Sequence, residues 1–120
     1  GSGTGDCGVC TIIMNDRLVN SCLVPAVQAR NKRIVTIEGV GSREKLHPLQ
    51  KAMMKYNAAQ CGFCIPAVVL AGKNLLDHNP APSRQEIKEA ISGVLCRCTG
   101  YYKLIEAVQE AASEIRGVKP

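Results

Sequence analysis

Polar and apolar positions follow two different periods along this chain. Between residues 11 and 40, short runs of β-branched and apolar residues are bounded by turn residues, whereas from Leu46 onward apolar residues recur every three or four positions. The first pattern is typical of strands and the second of amphipathic helices. We therefore predict an α+β fold with a β-containing part at residues 1–40 and a helical part at residues 45–120. The linker is GVGSREK, in which Gly, Ser and charges interrupt both periods.

Three runs predict the strands of the first part. Residues 10–14 (CTIIM) form one strand, Asn15–Asp16 a turn, and residues 17–22 (RLVNSC) a return strand. The β-branched run at residues 33–40 (RIVTIEGV) predicts a third strand, and the intervening LVPAVQA predicts a short helical turn. The hairpin brings Cys22 back towards Cys10.

Four helices are predicted in the second part. Their segments read HPLQKAMMKY, IPAVVLAGKNLLDHNP, SRQEIKEAISGVL and YYKLIEAVQEAASEIR. Pro48 and Pro66 suit the first turns of the first two helices, and Ser83 stands three residues before Glu86, which is a capping-box signature. The early part of the second helix is apolar on every side and is expected to be buried. The last helix carries one apolar stripe, formed by Tyr101, Leu104, Ile105, Val108, Ala112 and Ile115. We expect the four helices to pack as a bundle.

Composition narrows the functional classes. A chain of 120 residues with one Phe and no Trp has few large side chains for a core, so a cofactor would help it to fold. The net charge of +5 is spread along the chain without interleaved aromatic residues, which argues against a nucleic-acid interface. The longest apolar run, IPAVVLAG, is too short to cross a membrane.

Seven cysteines are the main chemical signal. They stand as close pairs plus one single residue, and an odd number fits a secreted disulfide framework poorly. This pattern favours metal ligation in a reducing compartment, and we expect a cytoplasmic protein.

The second cysteine set lies before two predicted helices. Cys61 and Cys64 precede the second helix, and Cys96 and Cys98 precede the fourth. A helix N-terminus offers free N–H groups and partial positive charge, which favour thiolate over thiol. Four converging thiolates would bind an iron–sulfur cluster or a structural zinc ion. A thioredoxin-like dithiol would leave the second pair without a role.

The two cysteine motifs together resemble a known family. QCGFCIPAVVLAGKNLL followed by ISGVLCRCTGYYKLIEAV is similar to the small iron–sulfur subunit of the molybdenum hydroxylases, which include xanthine dehydrogenase, aldehyde oxidoreductase and aerobic carbon monoxide dehydrogenase. TIEGV and LHPLQ also match, and the resemblance covers essentially the whole chain. It implies a [2Fe–2S] cluster on Cys61, Cys64, Cys96 and Cys98, with Gln60 and Cys98 beside the molybdopterin of a large partner subunit.

The resemblance also implies the architecture and the role of the chain. Residues 1–40 would be part of a β-grasp, plant-type ferredoxin domain whose N-terminal portion is absent, and residues 45–120 a helical [2Fe–2S] domain. Electrons would pass from molybdopterin through two clusters to FAD on a flavin-binding subunit or to another acceptor. Substrate chemistry would take place on the partner, with no catalytic residue in this chain. The alternatives are a zinc-binding structural or assembly module and a stand-alone ferredoxin.

The first cysteine set lacks one expected member. Plant-type [2Fe–2S] loops have the spacing Cys-x4-Cys-x2-Cys with a fourth cysteine further on. Cys7, Cys10 and Cys22 fit three of these positions, and Ser2 stands at the remaining one. Ser2 is then an oxygen ligand, or the site is a labile three-sulfur site or empty, or GSG is a remnant of an expression tag.

Other residues are predicted to have local roles. GTGDCG matches G-x-G-x-x-G but lacks the flanking strand and helix of a dinucleotide site. His47 and His78 are predicted to cap helices or lie at the surface, and Met53 and Met54 to fill the core. Arg97 should raise the reduction potential of a nearby cluster or contact a partner.

Overall fold

A small antiparallel sheet forms the N-terminal part of the protein. In the computed structural model, which describes residues 1–117, the strands are β1 (Thr11–Met14), β2 (Arg17–Asn20) and β3 (Ile34–Val35). The order is β2-β1-β3, and both pairings are antiparallel. The central strand β1 turns Ile13 into the core, where its side chain is 5% exposed.

The turn between β1 and β2 has the two-residue form predicted from Asn15–Asp16. Both residues have positive φ, 49° and 66°, which matches the twist of a tight hairpin and which Asn and Asp tolerate better than most residues. The Asn15 side chain also accepts a hydrogen bond of 2.9 Å from the backbone N–H of Arg33. The turn therefore positions the start of β3 as well as joining β1 to β2.

Two of the predicted strands are shorter than expected. The return strand ends at Asn20, because Ser21–Leu23 forms a 3-10 turn, and the third strand is limited to Ile34–Val35. The pairing of β3 covers only Ile13 and Met14, since the chain leaves the sheet after Val35 and does not continue alongside Ile12 and Thr11. Ile37–Gly39 then forms another 3-10 turn. The helical turn predicted within LVPAVQA is confirmed at Ala26–Ala29.

Four α-helices make up the rest of the described chain. They are α1 (Pro48–Lys55), α2 (Ile65–His78), α3 (Arg84–Ile91) and α4 (Tyr102–Arg116). Proline stands in the first turn of α1 and of α2, as predicted. The capping box of α3 is also confirmed: the Glu86 N–H donates to Ser83 Oγ at 3.2 Å, and the Ser83 N–H donates to the Glu86 carboxylate at 2.7 Å.

His47 caps α1, as predicted. Its Nδ1 accepts a hydrogen bond of 3.1 Å from the Leu49 N–H, and the Gln50 side chain accepts one of 2.9 Å from the His47 N–H. Burial lowers the pKa of His47, which keeps the ring neutral and able to accept this bond. His78 lies exposed in the last turn of α2, 2.7 Å from the Asn74 carbonyl.

The core lies among the helices. Its largest fully buried side chains are Leu49, Val68, Val69, Ile87, Ile91, Val94, Leu104 and Val108. The early part of α2 is buried as predicted, and a Cβ on Gly72 would meet Leu49 Cδ2 at 2.6 Å, so α1 approaches α2 closely there. Two core predictions are wrong: Met54 is 64% exposed and Ile115 is 43% exposed. Met54 lies on the outer side of α1, whereas Ile115 lies in the last turn of α4, where the side chains of residues 114–116 are all exposed.

The sheet rests against α2. Leu18 packs onto the helical core, and the Asn74 side chain donates a hydrogen bond of 2.9 Å to the Asp16 carbonyl in the hairpin turn. These contacts fix the position of the sheet relative to the helices. Within residues 1–117, every helix is too short or too polar to span a bilayer.

Candidate metal centres

Four cysteines from two distant segments meet at the start of α2. Cys64 is the residue that precedes α2, and Cys61 lies three residues earlier, while Cys96 and Cys98 lie between α3 and α4. The thiols contact each other in two pairs, Cys61 with Cys98 and Cys64 with Cys96. The convergence predicted from the two motifs is therefore present, and we call this group the helical site.

The two pairs of the helical site differ in burial. Cys64 is only 7% exposed and Cys96 is half-buried, whereas Cys61 and Cys98 are both exposed. The site therefore has one side in the core and another at the surface. A cofactor bound there would be held by protein on one side and accessible to a partner on the other.

Hydrogen bonds and burial act in opposite directions on these thiols. The backbone N–H of Phe63 lowers the pKa of Cys61, whereas burial raises the pKa of Cys64 to about 12. Burial alone would raise the pKa of Cys96, but the hydroxyl and N–H of Thr99 outweigh it and lower that pKa. A thiol as buried as Cys64 loses its proton at neutral pH only when a cation binds beside it, which is what a metal supplies.

Tyr101 fixes the backbone that carries Cys96. Its hydroxyl accepts a hydrogen bond of 2.8 Å from the Cys96 N–H and donates one of 3.0 Å to the Val94 carbonyl. Tyr101 has a positive φ of 72° and directly precedes α4, so its side chain folds back over the preceding loop. The sequence analysis placed this tyrosine on the apolar stripe of the last helix and missed its hydrogen bonds to the loop that carries Cys96.

We predict that Tyr101→Phe destabilises the protein by about 1–3 kcal/mol, because the N–H of Cys96 and the carbonyl of Val94 both lose their partner. Thermal denaturation of the full protein measures the change. Tyr102→Phe is the matched control, since Tyr102 is 60% exposed and should tolerate loss of its hydroxyl. Equal melting temperatures for the two variants would show that Tyr101 does not brace the loop.

The first cysteine set forms a second group, which we call the N-terminal site. The Cys22 N–H donates to Cys10 Sγ at 3.4 Å, and the two thiols also contact each other. Cys7 faces the side chain and the backbone N–H of Ser2, and hydrogen bonds from the Val9 N–H and from Ser2 lower its pKa to about 7. The residues predicted for this site are therefore brought together, with Ser2 beside Cys7.

The backbones that carry the two sites touch directly. The Leu95 N–H donates a hydrogen bond of 2.8 Å to the Cys7 carbonyl, one residue before Cys96. Gly8 has a φ of +72°, and a Cβ there would lie 1.9 Å from the Gly93 carbonyl oxygen. The sequence pattern did not predict this contact, because it joins two loops that are far apart along the chain.

The donor set at the helical site fits a binuclear cluster. Within residues 1–117, no three His, Cys, Asp or Glu side chains lie close enough together to hold a single metal ion. The thiols instead contact in pairs, and a [2Fe–2S] cluster takes four thiolates, two on each iron. No disulfide joins any of the seven cysteines, all of which lie in the described residues.

Several exposed apolar and polar residues stand close in sequence to the cysteines of the helical site. Phe63, Leu95 and Tyr102 are 67%, 59% and 60% exposed, although each is close in sequence to a site cysteine. Gln60 and Arg97 are exposed next to Cys61 and Cys98. Gln60 and Arg97, which were predicted to lie near a partner, are therefore accessible at the surface.

Comparison with known proteins identifies the family. Residues 36–109 match a family described as a [2Fe-2S] binding domain. The nicotinate dehydrogenase small FeS subunit of Eubacterium barkeri is 46% identical over 111 residues, which are 92% of this chain and 71% of that protein. The chain belongs to the [2Fe–2S]-binding family of the molybdenum hydroxylases. This confirms the resemblance predicted from the cysteine motifs.

Solved structures of molybdenum hydroxylases share this fold. The aldehyde oxidoreductase from Desulfovibrio gigas has a TM-score of 0.95 and 44% identity, covering 100% of this chain and 14% of that one. Quinoline 2-oxidoreductase from Pseudomonas putida 86 has a TM-score of 0.90 and 43% identity, covering 99% of this chain and 75% of that one. The chain therefore spans 14% of the length of one relative and about three quarters of another.

Proposed function

We propose that this chain is the iron–sulfur electron-transfer part of a molybdenum-dependent hydroxylase or dehydrogenase. It would relay electrons from a molybdopterin centre on a large partner to a flavin or another acceptor. Membership in the molybdenum hydroxylase family and the paired thiols of the helical site support this role. When bound, a [2Fe–2S] cluster accepts and releases one electron at a time.

In this proposal, residues 1–40 belong to a β-grasp, plant-type ferredoxin domain and residues 45–120 form a four-helix domain. Each would hold one [2Fe–2S] cluster, on the N-terminal site and the helical site respectively. The three-stranded sheet and the packing of α1 to α4 agree with this division. FAD would be bound by a separate flavin-binding partner, and the proposed compartment is the cytoplasm, which suits seven unpaired cysteines.

The observation that carries the proposal is the contact between the two sites. The hydrogen bond from the Leu95 N–H to the Cys7 carbonyl joins a ligand of the N-terminal site to the residue next to Cys96, at 2.8 Å. The two sets of ligands are thereby linked through a few covalent bonds and one hydrogen bond. A chain that only held a structural metal would gain nothing from linking two metal sites in this way.

The open side of the helical site suits a large partner. Cys98 and Gln60 are exposed, and so are the apolar side chains of Phe63, Leu95 and Tyr102, which stand within four residues of a site cysteine in the sequence. Exposed apolar groups around a polar centre are typical of protein interfaces. We propose that this surface faces the molybdopterin of the partner, with Gln60 and Cys98 nearest to it.

Redox titration of the full protein, followed by electron paramagnetic resonance, tests the proposal. We expect two different signals that appear on reduction with dithionite and disappear on reoxidation with ferricyanide, each as a one-electron step. The signals should return over repeated cycles, because protein thiolates and not solvent hold the clusters. Failure to obtain any reversible signal would contradict an electron-transfer function.

A further inference from the structure

The N-terminal site has a complete set of four donors only if Ser2 is counted. Three thiols are present, on Cys7, Cys10 and Cys22. By the spacing of plant-type sites, the missing ligand is five residues before Cys7, and this position is Ser2. The inference drawn here rests on the proposed function, since it concerns how the second cluster is held.

The folded loop places the Ser2 hydroxyl where this ligand is needed. In the helical site the thiols contact in two pairs, and the N-terminal site repeats this arrangement with Cys10 paired to Cys22. The remaining thiol, Cys7, has the Ser2 side chain as its neighbour. Ser2 thus completes the second pair.

The loop conformation favours this placement. Gly3 and Gly5 have φ values of +72° and +80°, which bend the chain between Ser2 and Cys7 in a way that other residues would strain. The Thr4 N–H donates a hydrogen bond of 3.3 Å to Ser2 Oγ, and the Asn20 side chain holds the Gly5 carbonyl at 3.3 Å. A backbone N–H that points at Ser2 Oγ would stabilise negative charge on that oxygen.

Asp6 is the competing oxygen donor in the loop. Its carboxylate accepts a hydrogen bond from the Thr4 hydroxyl, so one of its oxygens already has a partner within the loop. No contact joins Asp6 to a site thiol within the described residues, whereas Ser2 contacts Cys7 through both its side chain and its backbone. The contacts therefore favour Ser2 over Asp6.

We propose that Ser2 Oγ is the fourth ligand of the N-terminal [2Fe–2S] cluster, on the iron shared with Cys7. The Ser2 O–H bond breaks as the iron–oxygen bond forms, and its proton goes to solvent, since Ser2 is exposed. An alkoxide is a harder and more basic donor than a thiolate and stabilises the ferric state. This cluster therefore has a lower reduction potential than it would have with four thiolates.

Three variants of the full protein test the assignment, with iron analysis and electron paramagnetic resonance as readouts. Ser2→Ala is expected to lower the iron content from about four to about two per chain and to remove the N-terminal signal. Ser2→Cys should keep that signal, with changed g values and a higher reduction potential. Asp6→Asn is the matched control for an oxygen donor and should leave the signal and its potential unchanged.

The signal of the helical site serves as an internal reference in each sample. If the wild-type protein shows only that signal, with about two irons per chain, Ser2 is not a ligand but the helical site is intact. An unchanged N-terminal signal and potential in Ser2→Ala, or loss of that signal in Asp6→Asn, also overturns the assignment. Absence of both signals from wild-type protein would instead contradict the proposed function itself.

Discussion

Replacing Gly8 with alanine is expected to destabilise the protein by about 2–5 kcal/mol. A positive φ costs a residue with a Cβ roughly 1–2 kcal/mol, and forcing a new carbon into a packed contact costs about 1–3 kcal/mol more. The new Cβ would lie 1.9 Å from the Gly93 carbonyl oxygen, so the two loops must separate. That separation breaks the hydrogen bond from the Leu95 N–H to the Cys7 carbonyl.

Gly3→Ala is the matched control for this variant. Gly3 has the same φ of +72°, but a Cβ there would meet no atom within 4 Å, so it carries the conformational cost without the clash. Denaturant unfolding should therefore show a loss for Gly8→Ala that exceeds the loss for Gly3→Ala by about 1–3 kcal/mol. Electron exchange between the two sites should also slow in Gly8→Ala alone. Equal losses of stability in the two variants would show that the loops do not need their close contact.

Cys96→Ala is expected to abolish turnover of the full enzyme, with a loss of more than about 100-fold. Cys96 contacts Cys64 in the buried half of the helical site, so its removal would leave only one thiol there to hold a cluster. The signal of the helical site should disappear while that of the N-terminal site remains. Steady-state kinetics and paramagnetic resonance on the same sample measure both effects.

Cys7→Ala is the reciprocal variant. It removes a thiol from the N-terminal site and should abolish that signal while the signal of the helical site is retained. Together the two variants assign each signal to one site. Normal turnover in Cys96→Ala would rule out a route for electrons through the helical site.

Much of the fold could be predicted because its signals are local. Pro66 begins α2, the pair of Ser83 and Glu86 begins α3, and Asn15–Asp16 forms the hairpin turn, each through contacts within a few residues. Such signals do not depend on what the rest of the chain does. The convergence of the two cysteine pairs was also predicted, since both pairs precede helices that pack against a common core.

What could not be predicted depends on residues far apart in the sequence. The apolar run at residues 33–40 has the composition of a strand, but it pairs with only two residues of β1 before the chain leaves the sheet and forms a 3-10 turn at Ile37–Gly39. Similarly, Ile115 fits the apolar stripe of α4, yet it lies beyond the part of that helix that other elements cover. Burial and strand length are set by the neighbouring elements.

The same limit applies to the sites. The brace that Tyr101 provides to Cys96 and Val94 depends on a positive φ at Tyr101, which residue type alone does not indicate. The contact of Gly8 with Gly93 joins two loops about eighty-five residues apart. Glycine is common in loops for its conformational freedom alone, so its presence at position 8 did not indicate a close contact. The spacing of the cysteines in the sequence predicted which residues would be metal ligands, but it did not predict the contacts that position them.

Quantifying metal and acid-labile sulfide in the purified full protein tests the central claim most directly. If Cys61, Cys64, Cys96 and Cys98 hold a [2Fe–2S] cluster, iron and sulfide will be present in equal amounts, with at least about two of each per chain. The protein will be brown and will lose its colour with its iron in Cys96→Ala. Stoichiometric zinc in a colourless protein without sulfide would contradict the account.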